Sequence, residues 1–294
     1  MNFIEVLVIG SSIQMAFLSL GFFLDIIVFR DKSKTLLNDV KYYVFNSKVY
    51  TELTYSVIYS VVGGSLASLW KLYWSSNVLG FNLYDMTQHE AVFKYAFLIL
   101  FIDFVYYWGH RFSHTVNILW AGHKFHHTIS NFHSVFVALR LAPELAFYLF
   151  PAFFPMLFGF SIEETVIGTI FVMGWDFWIH SGRVPKLNYL IERIFVTPSN
   201  HRVHHSNQIK YMDKNFGIMF IFWDLLFGTF AEEGDDVRIG LQGMRYRRLY
   251  ISRYFTGYID LYEDFRAVKG LKSKCSVLFS SPMKVYKLLK ERAS

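Results

Sequence analysis

The 294-residue chain has one cysteine, Cys275. No internal disulfide can form, and no thiolate cluster can hold a metal. Any transition-metal site must therefore be built from His, Asp or Glu. Charge is also scarce. Asp, Glu, Lys and Arg make up 18% of the residues, against roughly a quarter in an ordinary soluble domain. The chain has no glycine-rich dinucleotide fingerprint, no phosphate loop and no haem-attachment or iron–sulfur cysteine pattern. It contains a single His-Glu pair, His89-Glu90, and Phe93 stands where a zinc hydrolase would place its second histidine.

Hydrophobic residues reach 53%, with 20% aromatic. Five apolar segments account for this excess, at about residues 4–29, 53–74, 92–108, 141–160 and 162–179. The first is too long, and too acidic at its start, for a signal peptide. The last two are joined so tightly at Ser161 that they predict a helical hairpin, kinked at Pro151 and Pro155. Lys and Arg are retained on the cytoplasmic side of a membrane. The connector after the first segment holds Arg30, Lys32, Lys34, Lys41 and Lys48, whereas residues 75–91 have no Lys or Arg, only Asp85 and Glu90. One orientation satisfies every loop: N-terminus outside, with residues 30–52, 109–140 and everything after 179 inside. The segment 216–230 is short and holds Asp224, which predicts an interfacial or buried helix. The expected fold is all-α: a multi-pass membrane protein of four or five spans with a helical cap on the cytosolic side.

The net charge of +6 is concentrated at one end. Residues 266–294 carry eight Lys or Arg against Glu291, and the remaining chain is close to neutral. A basic segment beside membrane spans reads as cytosolic and drawn to anionic headgroups. It could equally dock an acidic redox protein. No nucleic-acid motif accompanies it. The chain divides into N-terminal membrane helices at 1–90, a catalytic region at 91–235 and a basic cytosolic tail at 236–294.

Nine of the eleven histidines form a pattern. His110 and His114 make H-x-x-x-H. His123, His126 and His127 make H-x-x-H-H, and His201, His204 and His205 repeat it. His180 closes the fifth apolar segment. Positions i, i+3 and i+4 share a helix face, so each triplet is expected to aim its imidazoles at one point. Thr197 before Pro198 predicts a helix start there, with Thr as the N-cap. All nine fall at the cytosolic ends of the spans. Packed imidazoles repel when protonated and are costly to bury unpaired, so a purely structural role does not account for them. Nine are too many for one ion and suit two. Imidazole alone serves Fe, Zn, Cu or Ni. A transporter or a haem cytochrome would place its ligands near the midplane. His89 reads as structural, and His133 as a tenth ligand, an orienting donor or neither.

A metal-bound histidine usually donates its other N–H to a carboxylate or carbonyl. Asp103, Asp176 and Asn200 are the first candidates to hold the ligands in this way, with Asp213, Asn215 and Asp224 behind them. Arg111 and Arg202 could pair with these acids or with lipid phosphate.

Five stretches carry a resemblance: DFVYYWGHRFSH (103–114), WAGHKFHH (120–127), FWIH (177–180), TPSNHRVHH (197–205) and DKNFG…WDLLFGTF (213–230). Residues 103–230 resemble the fatty acid hydroxylase and sterol desaturase superfamily. The last two motifs are closest to its alkylglycerol monooxygenase-like branch. The resemblance implies a helical membrane enzyme with two iron ions on the nine histidines, O₂ as co-substrate and hydroxylation of a lipid acyl, alkyl or sterol C–H bond. Desaturation by the same centre is the alternative. Electrons would come from a separate reductase, ferredoxin, cytochrome or reduced pterin. The expected location is a bacterial inner membrane, or else the endoplasmic reticulum, with the site facing the cytosol.

Overall fold

The computed structural model describes residues 85–128, 150–182, 184–241 and 255–293. The first two predicted apolar segments, His133 and residues 141–149 of the fourth segment lie outside these residues. The described part is all-helical, with two isolated antiparallel bridges and no strand. Its α-helices are numbered here in chain order.

The long helix α1, Ala91–Thr115, continues two turns beyond the apolar stretch read from the sequence, so that His110 and His114 sit on it. Among the described residues it is the one helix long and apolar enough to cross a membrane. It ends where Val116 turns extended, and α2, Asn117–His123, starts at once. After a 3₁₀ turn at His126–Thr128 the next described segment is Phe150–Phe158. This is a 3₁₀ stretch containing Pro155, in place of the kinked span expected there. Proline removes an internal donor and clashes with an α-helical turn, which favours such a short irregular form.

Helix α3, Ile162–Ile179, has the bounds read from the sequence. Ser161 and Glu164 form a reciprocal capping box at its start. It carries three carboxylates, Glu163, Glu164 and Asp176.

Helices α1 and α3 run side by side in the same direction. Their first turns are joined by Lys94 to Glu164 at 2.6 Å, with the Tyr95 hydroxyl on the same carboxylate at 2.9 Å. Gly168 lets them approach, since a Cβ there would lie 2.9 Å from Ile102 Cδ1. Leu98, Ile102, Tyr106, Phe160, Val172, Ile218 and Met219 fill the core beside them. The parallel packing brings the histidine-bearing ends of both helices to one side.

Four short elements close that side: α4 at Tyr189–Ile194, α5 at Pro198–His204, a 3₁₀ turn at Ile209–Tyr211 and α6 at Phe222–Leu226. The basic segment is folded rather than a loose tail. It forms α7, Thr256–Ala267, α8, Leu271–Phe279, and α9, Pro282–Ala293. Leu261, Val268, Val277 and Val285 pack against Ala121 of α2. Lys124 meets Asp260 at 2.6 Å, and Asn117 Nδ2 donates to the Val277 carbonyl at 2.9 Å. Gly257 lies so close to the Ala121 carbonyl that a Cβ there would collide with it.

Candidate metal centre

Nine buried imidazoles gather into two groups. His110, His114, His123, His127 and His204 form one, and His126, His180, His201 and His205 the other. Within each group every ring offers a nitrogen within 4.8 Å of all the others. Opposite ligands on one ion, each bonded at about 2.1 Å, stand about 4.2 Å apart. Each group is therefore close to the size of a coordination sphere. The groups share a wall, where the His127 and His205 rings stack at 4.2 Å.

The triplets do not each aim at a single point. Helix α2 ends at His123, and His126 and His127 lie on the 3₁₀ turn beyond it. Helix α5 ends at His204, with His205 as its cap. The first and third members of each triplet join one group, and the middle member crosses to the other. The helices end inside both motifs, so the triplets do not follow one continuous helical face and the middle ring of each is free to join the other group.

Three rings are oriented by backbone carbonyls. His110 Nδ1 donates to Phe216 O at 2.8 Å, His180 Nδ1 to Asp176 O at 2.7 Å and His204 Nδ1 to Lys214 O at 2.9 Å. A neutral ring carries one N–H, so these bonds turn each Nε2 lone pair inward. The Nε2 atoms of His110 and His123 are 3.2 Å apart, those of His123 and His127 3.0 Å, and His180 Nε2 lies 3.1 Å from that of His126 and 2.9 Å from that of His201. Adjacent ligands at right angles on one ion are separated by about 3.0 Å.

The acids and amides singled out from the sequence act one step further out. Asp103 accepts from the backbone N–H of Met219 and Phe220 and from Trp223 Nε1, at 2.9, 3.2 and 2.9 Å. Asp224 accepts from the N–H of Phe216 and Gly217, each at 2.8 Å, and from the Thr229 hydroxyl at 2.7 Å. Asp176 serves His180 through its carbonyl; its carboxylate stands 3.6 Å from the same nitrogen. Asn200 closes the capping box of α5 with Thr197. Asn215 Nδ2 donates to Asn200 O and Ala231 O.

The loop 213–217, singled out in the sequence for the side chains of Asp213 and Asn215, acts instead through backbone carbonyls that sequence reasoning missed. Asp213 and Asn215 adopt φ of 56° and 55°, a left-handed conformation that Asn and Asp tolerate better than other side chains. Between and after them, Lys214 and Phe216 turn their carbonyls toward His204 and His110. The signal available in the sequence was the Asp-Lys-Asn run itself. Arg202 makes a bidentate pair with Glu233 at 2.6 and 2.7 Å, and Arg111 donates to the Tyr107 hydroxyl at 3.1 Å. His89 is exposed and outside both groups.

The fit to a metal can be tested on single atoms. His114 Nε2 is fully buried and has no hydrogen-bond partner, a costly state for a polar nitrogen unless an ion accepts its lone pair. Burial, reinforced by the neighbouring rings, holds His127, His201 and His205 well below the ordinary imidazole range. These rings are neutral, the form that binds metal. The residues fit two imidazole-bound divalent ions.

Residues 95–229 match the family model described as fatty acid hydroxylase. That stretch is similar to the fatty acid hydroxylase family. All nine histidines lie within it. An alkylglycerol monooxygenase from Danio rerio is 36% identical over 193 residues, covering 66% of this chain and 43% of the relative. The Homo sapiens alkylglycerol monooxygenase is 31% identical over 230 residues, covering 76% and 51%. The ornithine lipid hydroxylase OlsE of Rhizobium tropici is 26% identical over 152 residues, covering 49% and 43%. The chain spans about half or less of the length of these relatives, and no solved structure matches it. The matched stretch thus takes in most of α1, all of α2 to α6 and the whole histidine centre, while α7–α9 lie outside it.

Proposed function

We propose that this protein is a membrane oxygenase that hydroxylates a C–H bond of a lipid at a di-iron centre. The observation that carries the reading is the pair of buried all-imidazole groups inside the stretch similar to the fatty acid hydroxylase family. Relatives named alkylglycerol monooxygenase and ornithine lipid hydroxylase support a lipid substrate. His110, His114, His123, His127 and His204 would hold one iron, and His126, His180, His201 and His205 the other. Bound iron supplies reductive activation of O₂. One oxygen atom enters the C–H bond and the other leaves as water, with two electrons and two protons supplied by a separate donor.

The chain's own residues orient and shield. The Phe216, Asp176 and Lys214 carbonyls fix three rings in the tautomer that binds metal. Asp224 fastens the loop that supplies two of those carbonyls and Asp103 the turn that follows it, while Asn200 caps α5 and its carbonyl accepts from Asn215. Trp120 and Phe216 cover His114, with ring centroids at 5.0 and 5.3 Å, and keep bulk water from it.

The proposed architecture has four or five spans, α1 among them, and a cytosolic histidine side. It divides into membrane helices at 1–90, the catalytic region at 91–235 and the basic segment at 236–294. A bacterial inner membrane is the proposed location, with the endoplasmic reticulum as the alternative. The test is metal analysis with Mössbauer spectroscopy on protein grown on isotopically enriched iron, followed by lipid mass spectrometry. Two irons per chain and a lipid gaining one oxygen support the reading. A product losing two hydrogens instead identifies a desaturase. Zinc alone, retained under anaerobic iron-replete preparation, overturns it.

A further inference from the structure

The C-terminal helices α7–α9 play no part in the histidine centre, yet they are bolted to it at a defined height. The Asn117 backbone N–H donates to Ser280 O at 3.0 Å, and its side chain donates to Val277 O at 2.9 Å. Asn117 is two residues past Thr115, the last residue of α1. The corner between α8 and α9 is thereby fixed at the end of the helix proposed to cross the bilayer.

This corner has an unusual outer surface. On α8, Leu271 is 80% exposed and Phe279 64%, with exposed Lys272 and Cys275 on the same helix. On α9, Val285 is buried while Tyr286 is 62% exposed, beside exposed Met283, Lys284, Lys287 and Lys290. Phe112 near the end of α1 and Ile118 at the start of α2 are exposed as well. Bulky apolar side chains interleaved with lysines are suited to a headgroup region, where the apolar groups enter the acyl boundary and the ammonium groups meet phosphate. A redox protein with an acidic face would complement the lysines but not Leu271 and Phe279.

We infer that the α8–α9 corner is a docking surface for anionic lipid headgroups. This rests on the reading that α1 spans the bilayer. The surface tethers α2, and with it His123, to the membrane plane, because α7–α9 pack directly on α2.

Cys275, the one cysteine, lies exposed on α8 and serves as a probe. The full chain is labelled there with bimane and reconstituted into vesicles of phosphatidylcholine alone or of an equal mixture with phosphatidylglycerol. Each vesicle carries headgroup spin-labelled lipid as quencher. Quenching is expected to be roughly twofold or more stronger in the anionic vesicles, and to fall with salt. The triple variant Lys284→Gln, Lys287→Gln, Lys290→Gln is expected to drop to the neutral-vesicle level, while Glu291→Gln retains the effect. Equal quenching in both vesicles, or none in either, overturns the inference. So does a label that stays in water in both vesicles but is covered when an acidic ferredoxin is added. Alkaline washing separates the two readings. Protein washed off the vesicles fails the membrane reading itself, whereas protein retained with an unquenched label fails the docking inference alone.

Discussion

His126 and His204 hold equivalent positions in the two histidine triplets, and each stands in the group built around the other triplet. The exchange interlocks the 123–127 segment with the 201–205 segment. Neither triplet can move without displacing a ring of both groups, so the two sites share one scaffold while each keeps its own ligands.

The exchange gives an asymmetric prediction. Loss of His126 leaves three rings in a group of four, and loss of His204 leaves four in a group of five. His126→Ala is expected to retain about one iron ion per chain, because the group of four falls to three rings and loses a larger share of its coordination than the group of five does. His204→Ala is expected to retain both with an altered spectrum. Both variants should lose activity. Metal content by mass spectrometry beside Mössbauer spectra decides between this outcome and equal loss in the two variants.

Asp224 and Asp103 supply a second prediction. Their carboxylates accept three hydrogen bonds each, four of the six from backbone N–H groups. Asp224→Ala leaves the Phe216 and Gly217 N–H groups buried without an acceptor, at a cost of about 2–4 kcal/mol. Metal affinity should fall roughly tenfold or more, since the Phe216 carbonyl then no longer fixes His110. Asp224→Asn keeps one acceptor oxygen and should be milder. Thermal unfolding and competition with a metal chelator measure the two effects. A variant that loses stability with unchanged metal affinity would detach the loop from ligand orientation.

Much of this centre is legible in the sequence, and the rest has identifiable causes. The nine rings and the bounds of α3 follow from spacing and from the Ser161 and Thr197 caps. The division of the triplets does not, because it depends on α2 and α5 ending inside the motifs. The orienting groups were sought among carboxylates, yet Phe216 and Lys214 contribute carbonyls, which every residue has. Only tertiary structure tells which of them face a ring. The segment 255–293 reads as a tail because lysine dominates its composition. Its apolar residues Leu261, Val268, Val277 and Val285 are too few to announce a core without Ala121 opposite.

Gly217 and Gly257 test packing at two depths. A Cβ at Gly217 would lie 2.7 Å from Phe220 O and 2.9 Å from Asp224 Oδ2. Gly217→Ala is expected to cost about 1–3 kcal/mol and to weaken metal binding. A Cβ at Gly257 meets the Ala121 carbonyl, so Gly257→Ala should push α7 off α2. Limited proteolysis after α6 is expected to rise in Gly257→Ala and not in Gly217→Ala. The reverse pattern would place the C-terminal helices outside the support of the centre.

Metal removal tests the centre as a whole. Nine buried rings in the apo protein retain polar nitrogens in a water-poor interior, His114 Nε2 among them without a partner. Metal that binds the folded chain in preference to the unfolded one stabilises it by about 2.7 kcal/mol at a free concentration one hundred times Kd. Two ions on interlocked groups should therefore raise the unfolding temperature sharply, and chelation should lower it. Chelation should also loosen the 123–127 segment and α5 together, because each contributes rings to both groups. Hydrogen exchange followed by mass spectrometry is expected to show peptides around 117–128 and 197–206 opening in concert, while α3 and its capped first turn stay protected. Independent opening of the two peptides would mean that the exchanged middle histidines do not couple the groups.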